Sequence, residues 1–193
     1  MASLTNPTPT TTLDAVNSLL ASIGEAPVTT ITGNRTSDVA LAVQKLTEVN
    51  VEVQTEGWDF NTDEDFPLVP DETGEIKVGS DTLAIDVSKW SRTDVNPVMR
   101  GSRLYDKKNR TYTFTKKVLV DRIVALPFED LPQAARWFVT VRAGRRFQQQ
   151  TAGSAALDRF TADMETSALT ALAAAEARSA QHTVFDNPFP GRR

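Results

Sequence analysis

The chain has 193 residues, 21 of them basic and 25 acidic, so its formal net charge at neutral pH is −4. This length fits one domain, or one domain with an insertion, and allows about 70% of the unfolded surface to be buried without disulfides or metals. The absence of cysteine excludes thiol catalysis, zinc–thiolate sites and iron–sulfur clusters. The acidic balance disfavours tight, general binding to nucleic acid phosphates. The sequence shows neither a transmembrane run nor a signal-peptide pattern, so no membrane insertion is expected.

Two helices are predicted in the first third of the chain. Thr11 and Asp14 have the spacing of a helix-capping box, and the apolar residues after them predict a short helix that ends near Gly24. A longer amphipathic helix is predicted from Ser37, because valine and leucine recur there every three or four residues. Gly57 ends this helix, since glycine adopts the left-handed backbone conformation at little steric cost.

The middle of the chain is predicted to be rich in β-structure. Trp58–Thr62 alternates apolar and polar residues, which indicates a half-buried strand. Further strands are predicted at Glu75–Val78, Thr82–Val87, Arg103–Tyr105, Thr111–Thr115 and Val118–Leu126. The turn residues of Asp106–Arg110 predict a hairpin between the two strands that flank them, and Lys89–Pro97 is predicted to be irregular.

Helical patterns return in the last third. Pro132 suits the first turn of a helix whose apolar side includes Trp137 and Phe138. The last helix has an apolar, alanine-rich stripe that reaches Ala175, and the single histidine, His182, lies near its end. These patterns predict a third and a fourth helix.

The order of the elements predicts an α+β fold, namely a four-helix bundle with a β-rich domain inserted between the second and third helices. The bundle takes residues 1–57 and 129–183, and the inserted domain takes 58–128. Residues 184–193 form a C-terminal tail, which two prolines keep from being helical throughout.

The acidic residues after the long helix suggest a calcium loop only weakly. Four residues alternate like the first ligands of such a loop, namely Asp59, Asn61, Asp63 and Asp65. However, Glu64 stands where the loop requires glycine, and Pro70 stands where it requires glutamate. Solvated carboxylates at a strand or turn are the favoured interpretation.

Two catalytic hypotheses are also weak. A Ser–His–Asp site would depend on His182, at a helix end where nothing in the sequence holds the imidazole. A glycosidase would need a positioned carboxylate pair, and its candidates are Asp63, Glu64, Asp65, Asp71 and Glu72. No catalytic, cofactor-binding or metal site is therefore predicted.

Three arginines on the predicted third helix form the clearest charged cluster. Together with Arg136 on the same helix, Arg142, Arg145 and Arg146 would face DNA or the carboxylates of a partner. Alternatively, they would pair with acids of the same chain, such as Asp158 and Asp163 on the next helix. Intramolecular pairing is the favoured interpretation. The three remain candidates for a DNA channel or an inter-subunit contact.

Short motifs follow one another in a specific order along most of the chain. They are Ala15–Asn17, Ile23–Val28, Gly57–Thr62, Leu68 with Pro70–Asp71, Tyr105–Asp106, Leu131–Pro132, Arg136–Phe138 and Arg146–Phe147. The Gly-Trp-Asp-Phe-Asn stretch is the most specific of them. Together they resemble the tail tubular protein A family of short-tailed, podovirus-type bacteriophages, which is the ring adaptor between the portal and the tail nozzle.

The resemblance implies a structural virion protein of the tail that is assembled in the host cytoplasm. It would form a homo-oligomeric ring, a dodecamer, between the portal protein and the nozzle protein, tail tubular protein B. Double-stranded DNA would pass through during ejection without specific binding, and neither a cofactor nor an enzymatic activity is implied. Two alternatives stay open, a cell-wall-degrading hydrolase carried in the tail and a DNA-binding module.

The resemblance and the sequence together suggest contact sites. The nozzle-interface candidates, in the predicted hairpin tip, are Lys107, Lys108 and Arg110. The portal-interface candidates, in the C-terminal tail, are Val184, Phe185, Phe189, Arg192 and Arg193. Exposed apolar rings more often mark an interaction surface than a solvated end. The alternative is that the two phenylalanines fold back onto their own bundle.

Overall fold

The structure is a computed structural model that describes residues 8–33, 36–151 and 155–186, and the side chains of all of these except 155–160 and 180–186. These residues combine four α-helices with two small antiparallel sheets, so the predicted mixture of helix and strand is confirmed. The chain divides into two compact units. The first comprises Met1–Val53 and Pro127–Arg193, and the second is the continuous segment Gln54–Leu126.

The first unit opens with helix α1, Thr12–Ala21. The Thr11 hydroxyl oxygen accepts a hydrogen bond from the Asp14 N–H at 3.2 Å, and the Asp14 carboxylate accepts one from the Thr11 N–H at 3.0 Å. The predicted capping box is therefore confirmed. The hydrogen bonds from Thr11 also lower the pKa of Asp14.

Three longer helices follow in the chain. Helix α2 spans Ser37–Thr55, and Gly57 after it has a φ of +75°, as predicted for a helix end. Helix α3 spans Gln133–Thr151 and helix α4 spans Ala155–Asp186. Within the described ranges, no helix has both the length and the hydropathy that crossing a membrane requires. The buried apolar residues of the four helices include Leu19, Leu46, Val49, Phe138, Phe147 and Leu172.

The second unit contains both sheets. Strands β1 (Thr62–Leu68), β5 (Val118–Val124) and β2 (Thr82–Val87) pair in that order, all antiparallel. Strands β3 (Pro97–Arg100) and β4 (Arg103–Asp106) form a separate hairpin. The core of this unit is Leu68, Ile76, Val78, Leu104, Phe114, Val118 and Val120.

The predicted strand at Trp58–Thr62 is wrong for most of its length. Asp59–Asn61 forms a 3₁₀ turn, and β1 begins only at Thr62. The cause is Asn61, which is 2% exposed and whose amide oxygen accepts from the Trp58 N–H at 2.8 Å. Its amide nitrogen donates to the main-chain oxygens of Gln54 and Val124, each at 2.9 Å. A polar side chain thus occupies an interior position that simple alternation assigns to an apolar residue.

The hairpin also differs from the prediction. The partner of β4 is β3, which lies partly in the segment predicted to be irregular, because Gly101 (φ +61°) allows a tight turn between them. Thr111–Thr115 and Glu75–Val78 are not strands but make isolated bridges, such as Glu75 with Thr113. Alternation alone therefore overestimated regular pairing here.

Replacing Asn61 tests its structural role. We expect Asn61→Ala to lower the free energy of unfolding by about 2–4 kcal/mol, because buried main-chain groups lose their hydrogen-bond partners. Urea denaturation measures the change, and the exposed Glu64→Ala is the matched control, with an expected effect within about 0.5 kcal/mol. Equal stability of the two variants would contradict this role for Asn61.

Candidate functional site

A cationic turn, Lys107–Arg110, follows strand β4 in the second unit. Its three basic residues, Lys107, Lys108 and Arg110, are all exposed. Arg110 has a φ of +55°, a left-handed conformation that non-glycine residues adopt rarely. The turn is therefore held in one defined conformation by its surroundings.

The carboxylate of Asp106 holds the backbone of the cationic turn through hydrogen bonds. Its carboxylate oxygen Oδ1 accepts from the N–H groups of Asn96 at 2.9 Å, Lys108 at 2.9 Å and Asn109 at 3.3 Å. The residue is 1% exposed. Burial raises the pKa of Asp106, but the hydrogen bonds from Asn96, Asn109 and Lys108 outweigh it and leave this pKa below its ordinary value.

Two further bonds tie the cationic turn to the loop before β3. The Lys108 Nζ donates to the main-chain oxygen of Thr93 at 2.8 Å, and the Asn109 Nδ2 donates to that of Asp94 at 3.0 Å. The turn thus presents positive charge on a rigid backbone.

The three arginines predicted as a cluster lie on α3 and form ion pairs inside the first unit. Arg142 Nη2 and Arg146 Nη2 each lie 2.8 Å from Glu52 Oε1 on α2. Arg145 Nη1 lies 3.0 Å from Glu165 Oε2 on α4, and Arg142 Nε lies 3.5 Å from Glu165 Oε1. The cluster therefore links three helices.

Electrostatics within the arginine cluster are nearly balanced, with three positive and two negative side chains. The hydrogen bond from Arg146 lowers the pKa of Glu52 more than burial raises it, and the same bond raises the pKa of Arg146. The described partners differ from the acids suggested by the sequence, and the side chain of Asp158 lies outside the described residues. Glu52 is remote in sequence, so no local spacing indicated it.

An open groove of about 470 Å³ lies between α1, α3 and α4. Trp137, predicted to contribute to the apolar side of α3, is 40% exposed and lines this groove, whereas Phe138 and Val139 are buried. The other lining residues are Ser18, Ala21, Ser22, Thr140, Val141, Gly144, Arg145, Gln148, Thr161 and Met164. Sequence reasoning missed the groove. The sequence feature that could have indicated it is Gly144, a glycine in the interior of the same helix as Trp137.

The portal-interface candidates lie at and beyond the end of α4. The helix continues through Val184 and Phe185 to Asp186, so these two residues are helical and do not belong to an extended tail. The reason is that Pro188 restricts only itself and the residue before it. For Val184 and Phe185, only the side chains lie outside the described part of the chain. Phe189, Arg192 and Arg193 lie outside it entirely. Their portal role stays a prediction.

Two of the acidic residues considered for calcium or catalysis, Asp63 and Asp65, are engaged in contacts within the second unit. Asp63 Oδ2 lies 2.7 Å from Arg122 Nη2, and Asp65 accepts a hydrogen bond from Ser88. Across the described residues, no group of three or more histidine and acidic side chains is placed to hold a metal ion. The surfaces described above offer charge and shape for protein contacts.

Comparison with known proteins identifies the class. A family model described as "Tail tubular protein" matches residues 13–182. This is most of the chain, which is therefore a structural component of the bacteriophage tail. The chain belongs to the tail tubular protein family, as its ordered motifs indicated. No curated protein matches it.

The pH dependence of stability tests the role of Asp106. Because its pKa is lower in the folded chain than the unfolded value of 3.8, its stabilisation is present above pH 3.8 and is lost as the pH falls through the folded-state pKa. We expect Asp106→Asn to cost about 1–3 kcal/mol at pH 7, because its amide group would face the donor group of Asn109.

The difference in unfolding free energy between the Asp106→Asn variant and wild type should shrink below about pH 3.8. Urea denaturation at pH 7 and at pH 3 measures it, with the exposed Glu72→Gln as control. A difference that stays constant between these two pH values would show that the carboxylate charge does not hold the turn.

Proposed function

We propose that this chain forms a ring that joins the portal to the tail nozzle of a podovirus-type phage and lets DNA pass through. The observation that carries the proposal is the family match over residues 13–182. The proposed protomer is a four-helix bundle that bears the β-rich unit as an insertion. Its assembly takes place in the host cytoplasm, and the ring is a dodecamer.

The charge distribution supports a channel that does not grip DNA. Arg142, Arg145 and Arg146, the basic cluster of α3, all have glutamate partners in the same chain, and the net charge is −4. Phosphate contacts by free lysine and arginine would add affinity with each charge and would slow the movement of DNA. In the proposed ring these arginines hold α2, α3 and α4 together.

The cationic turn supports a nozzle contact in the second unit. Lys107, Lys108 and Arg110 are exposed, and the buried Asp106 fixes the backbone that carries them. A rigid turn loses little conformational entropy on binding, so its charges are suited to recognise an acidic surface. We assign that surface to the nozzle protein.

Electron microscopy of the purified chain with portal and nozzle proteins tests the ring. We expect closed rings with a central channel that bridge the two partners, since the proposed role requires a head-to-tail interface whose rotation closes. Averaged images give the copy number. Particles in which portal and nozzle join directly, with this chain absent, would contradict the proposal.

Charge reversal tests the nozzle contact. We expect the triple variant Lys107→Glu, Lys108→Glu and Arg110→Glu to weaken nozzle binding by about tenfold or more, because exposed complementary charges become repulsive. A pull-down at low and high salt measures it. The control is Lys116→Glu with Lys117→Glu, two exposed residues outside the turn. Equal losses in both variants would show a non-specific charge effect.

A further inference from the structure

An arginine of the β3–β4 hairpin has its guanidinium stacked on a tyrosine. The Arg100 Cζ lies 3.7 Å from the centroid of the Tyr105 ring, inside the roughly 6 Å over which a cation is attracted to an aromatic face. Arg100 is exposed and Tyr105 is half-buried. Stacking uses the plane of a guanidinium and leaves the N–H groups at its edge free. Arg100 is therefore oriented and still able to donate hydrogen bonds.

The strand register places these two residues on the outward side of the hairpin. Arg100 pairs with Arg103 and Val98 pairs with Tyr105, and residues two apart on a strand lie on the same side of a sheet. Leu104, on the other side, is buried. We call the outward side the arginine–tyrosine face, and its members, including a tyrosine whose ring contacts that of Tyr105, are Val98, Arg100, Arg103, Tyr105 and Tyr112.

A second arginine of this face provides an internal comparison. The Arg103 Cζ lies 4.6 Å from the centroid of the Tyr112 ring, so this guanidinium is stacked as well. Its Nη1 lies 2.6 Å from Glu75 Oε1, so a carboxylate of the same unit already binds it. Among the residues that the structure describes, no carboxylate pairs with Arg100. The face thus has one stacked arginine with a carboxylate and one without.

The position of Arg100 is electrostatically unfavourable within the chain. It stands directly opposite Arg103 on the neighbouring strand, and like charges in such positions repel. Glu75 offsets this repulsion at Arg103 only. A carboxylate from a second molecule would offset it at Arg100 as well.

The arginine–tyrosine face adjoins the cationic turn. Tyr105 lies two residues before Lys107, and Tyr112 lies two residues after Arg110. The centroids of the two tyrosine rings are 4.9 Å apart and their planes make an angle of 62°, an edge-to-face arrangement that aromatic rings favour. The paired rings therefore form the base of the turn, and Arg100 extends its positive charge onto the hairpin.

The chemistry of the face fits a carboxylate on a protein. A guanidinium binds a carboxylate through two parallel N–H···O hydrogen bonds, and arginine and tyrosine are enriched among the residues that dominate protein interfaces. A phosphate accepts the same pair of bonds. However, the net charge of the chain is −4, which opposes the binding of a long polyanion such as DNA.

We propose that Arg100 binds a carboxylate of the nozzle protein and that Tyr105 positions its guanidinium for this contact. The inference rests on the proposed nozzle contact of the cationic turn. It adds to the general charge of the turn one directional contact, which a partner satisfies only by placing a carboxylate opposite Arg100.

Two substitutions of Arg100 test the contact. We expect Arg100→Ala to weaken binding of the nozzle protein by about tenfold or more, because the charged pair is lost. Arg100→Lys should weaken it by about fivefold, because an ammonium keeps the charge but lacks the planar pair of donors. Biolayer interferometry on immobilised nozzle protein measures both. Wild-type affinity of either variant would overturn the proposal.

The fold of the two Arg100 variants is checked by thermal melting. Both should melt at or near the wild-type temperature, because the residue is exposed and faces a like charge. A loss of binding that came with a loss of folded protein would instead assign Arg100 to stability, and would overturn the proposal.

Lys89 offers a matched control in the same unit. It is exposed, and its Nζ lies 5.7 Å from the centroid of the Trp90 ring. Lys89→Ala removes one positive charge from an aromatic ring but no planar pair of donors, so its affinity for the nozzle protein should stay within about twofold of wild type. Equal losses for Lys89→Ala and Arg100→Ala would overturn the proposal, because binding would then follow net charge alone.

A double-mutant cycle tests the positioning role of Tyr105. We expect Tyr105→Leu to weaken binding by about fivefold when Arg100 is present and to have no further effect in the Arg100→Ala chain, because the ring acts through the guanidinium. Tyr105→Phe keeps the aromatic face and should bind like wild type. Additive losses from Tyr105→Leu and Arg100→Ala would contradict the positioning role.

A mobility-shift assay with a short DNA duplex separates carboxylate from phosphate recognition. The affinity of Arg100→Ala for the duplex should stay within about twofold of wild type. A variant that lost DNA binding and kept nozzle binding would show that Arg100 recognises phosphate, and would overturn the proposal.

The proposed function is tested separately from this contact. Wild-type rings that bind the nozzle protein as tightly as Arg100→Ala rings would leave the proposed function standing and remove only the contact at Arg100. A wild-type chain that forms no ring and does not bind the nozzle protein would remove both.

Discussion

Two buried side-chain amides close the second unit on itself. The Gln54 Oε1 accepts from the Leu126 N–H at 2.7 Å, and its Nε2 donates to the Leu126 oxygen at 3.0 Å. Gln54 and Leu126 are the first and last residues of this unit. Asn61 adds bonds to the main-chain oxygens of Gln54 and Val124. Because a buried polar group without a partner is costly, these bonds favour the one arrangement in which both ends meet.

The second unit is one continuous segment whose two ends lie close together. The chain leaves the first unit after Val53 and re-enters it at Pro127, and the bonds between Gln54 and Leu126 keep the two crossing points together. Domain insertion succeeds where the termini of the inserted part are close in space. Close ends of this kind are compatible with the proposed insertion of the second unit into the helical unit.

The sequence predicted those elements whose causes are local. The capping box at Thr11, the helix end at Gly57 and strand β5 depend on neighbouring residues or on simple periodicity. The 3₁₀ turn before β1 depends on the contact of Asn61 with Val124, 63 residues away, and no periodicity reports such a contact. The arginine cluster was visible in the sequence because its members are close neighbours on one helix. Its partner Glu52 was not, because it lies on another helix. The groove was missed because it depends on how three helices pack.

The arginines of helix α3 hold helices of the same chain together, although their sequence pattern also suggested an external contact. Its arginines were the obvious candidates for an external contact, yet Arg142 and Arg146 share Glu52 and are committed to holding helices together. For these arginines to bind a partner, their half-buried ion pairs with glutamate would first have to break. The free energy gained with the partner's carboxylates would have to exceed the free energy lost in that step. The charged cluster that the sequence shows first is therefore committed to the packing of the first unit.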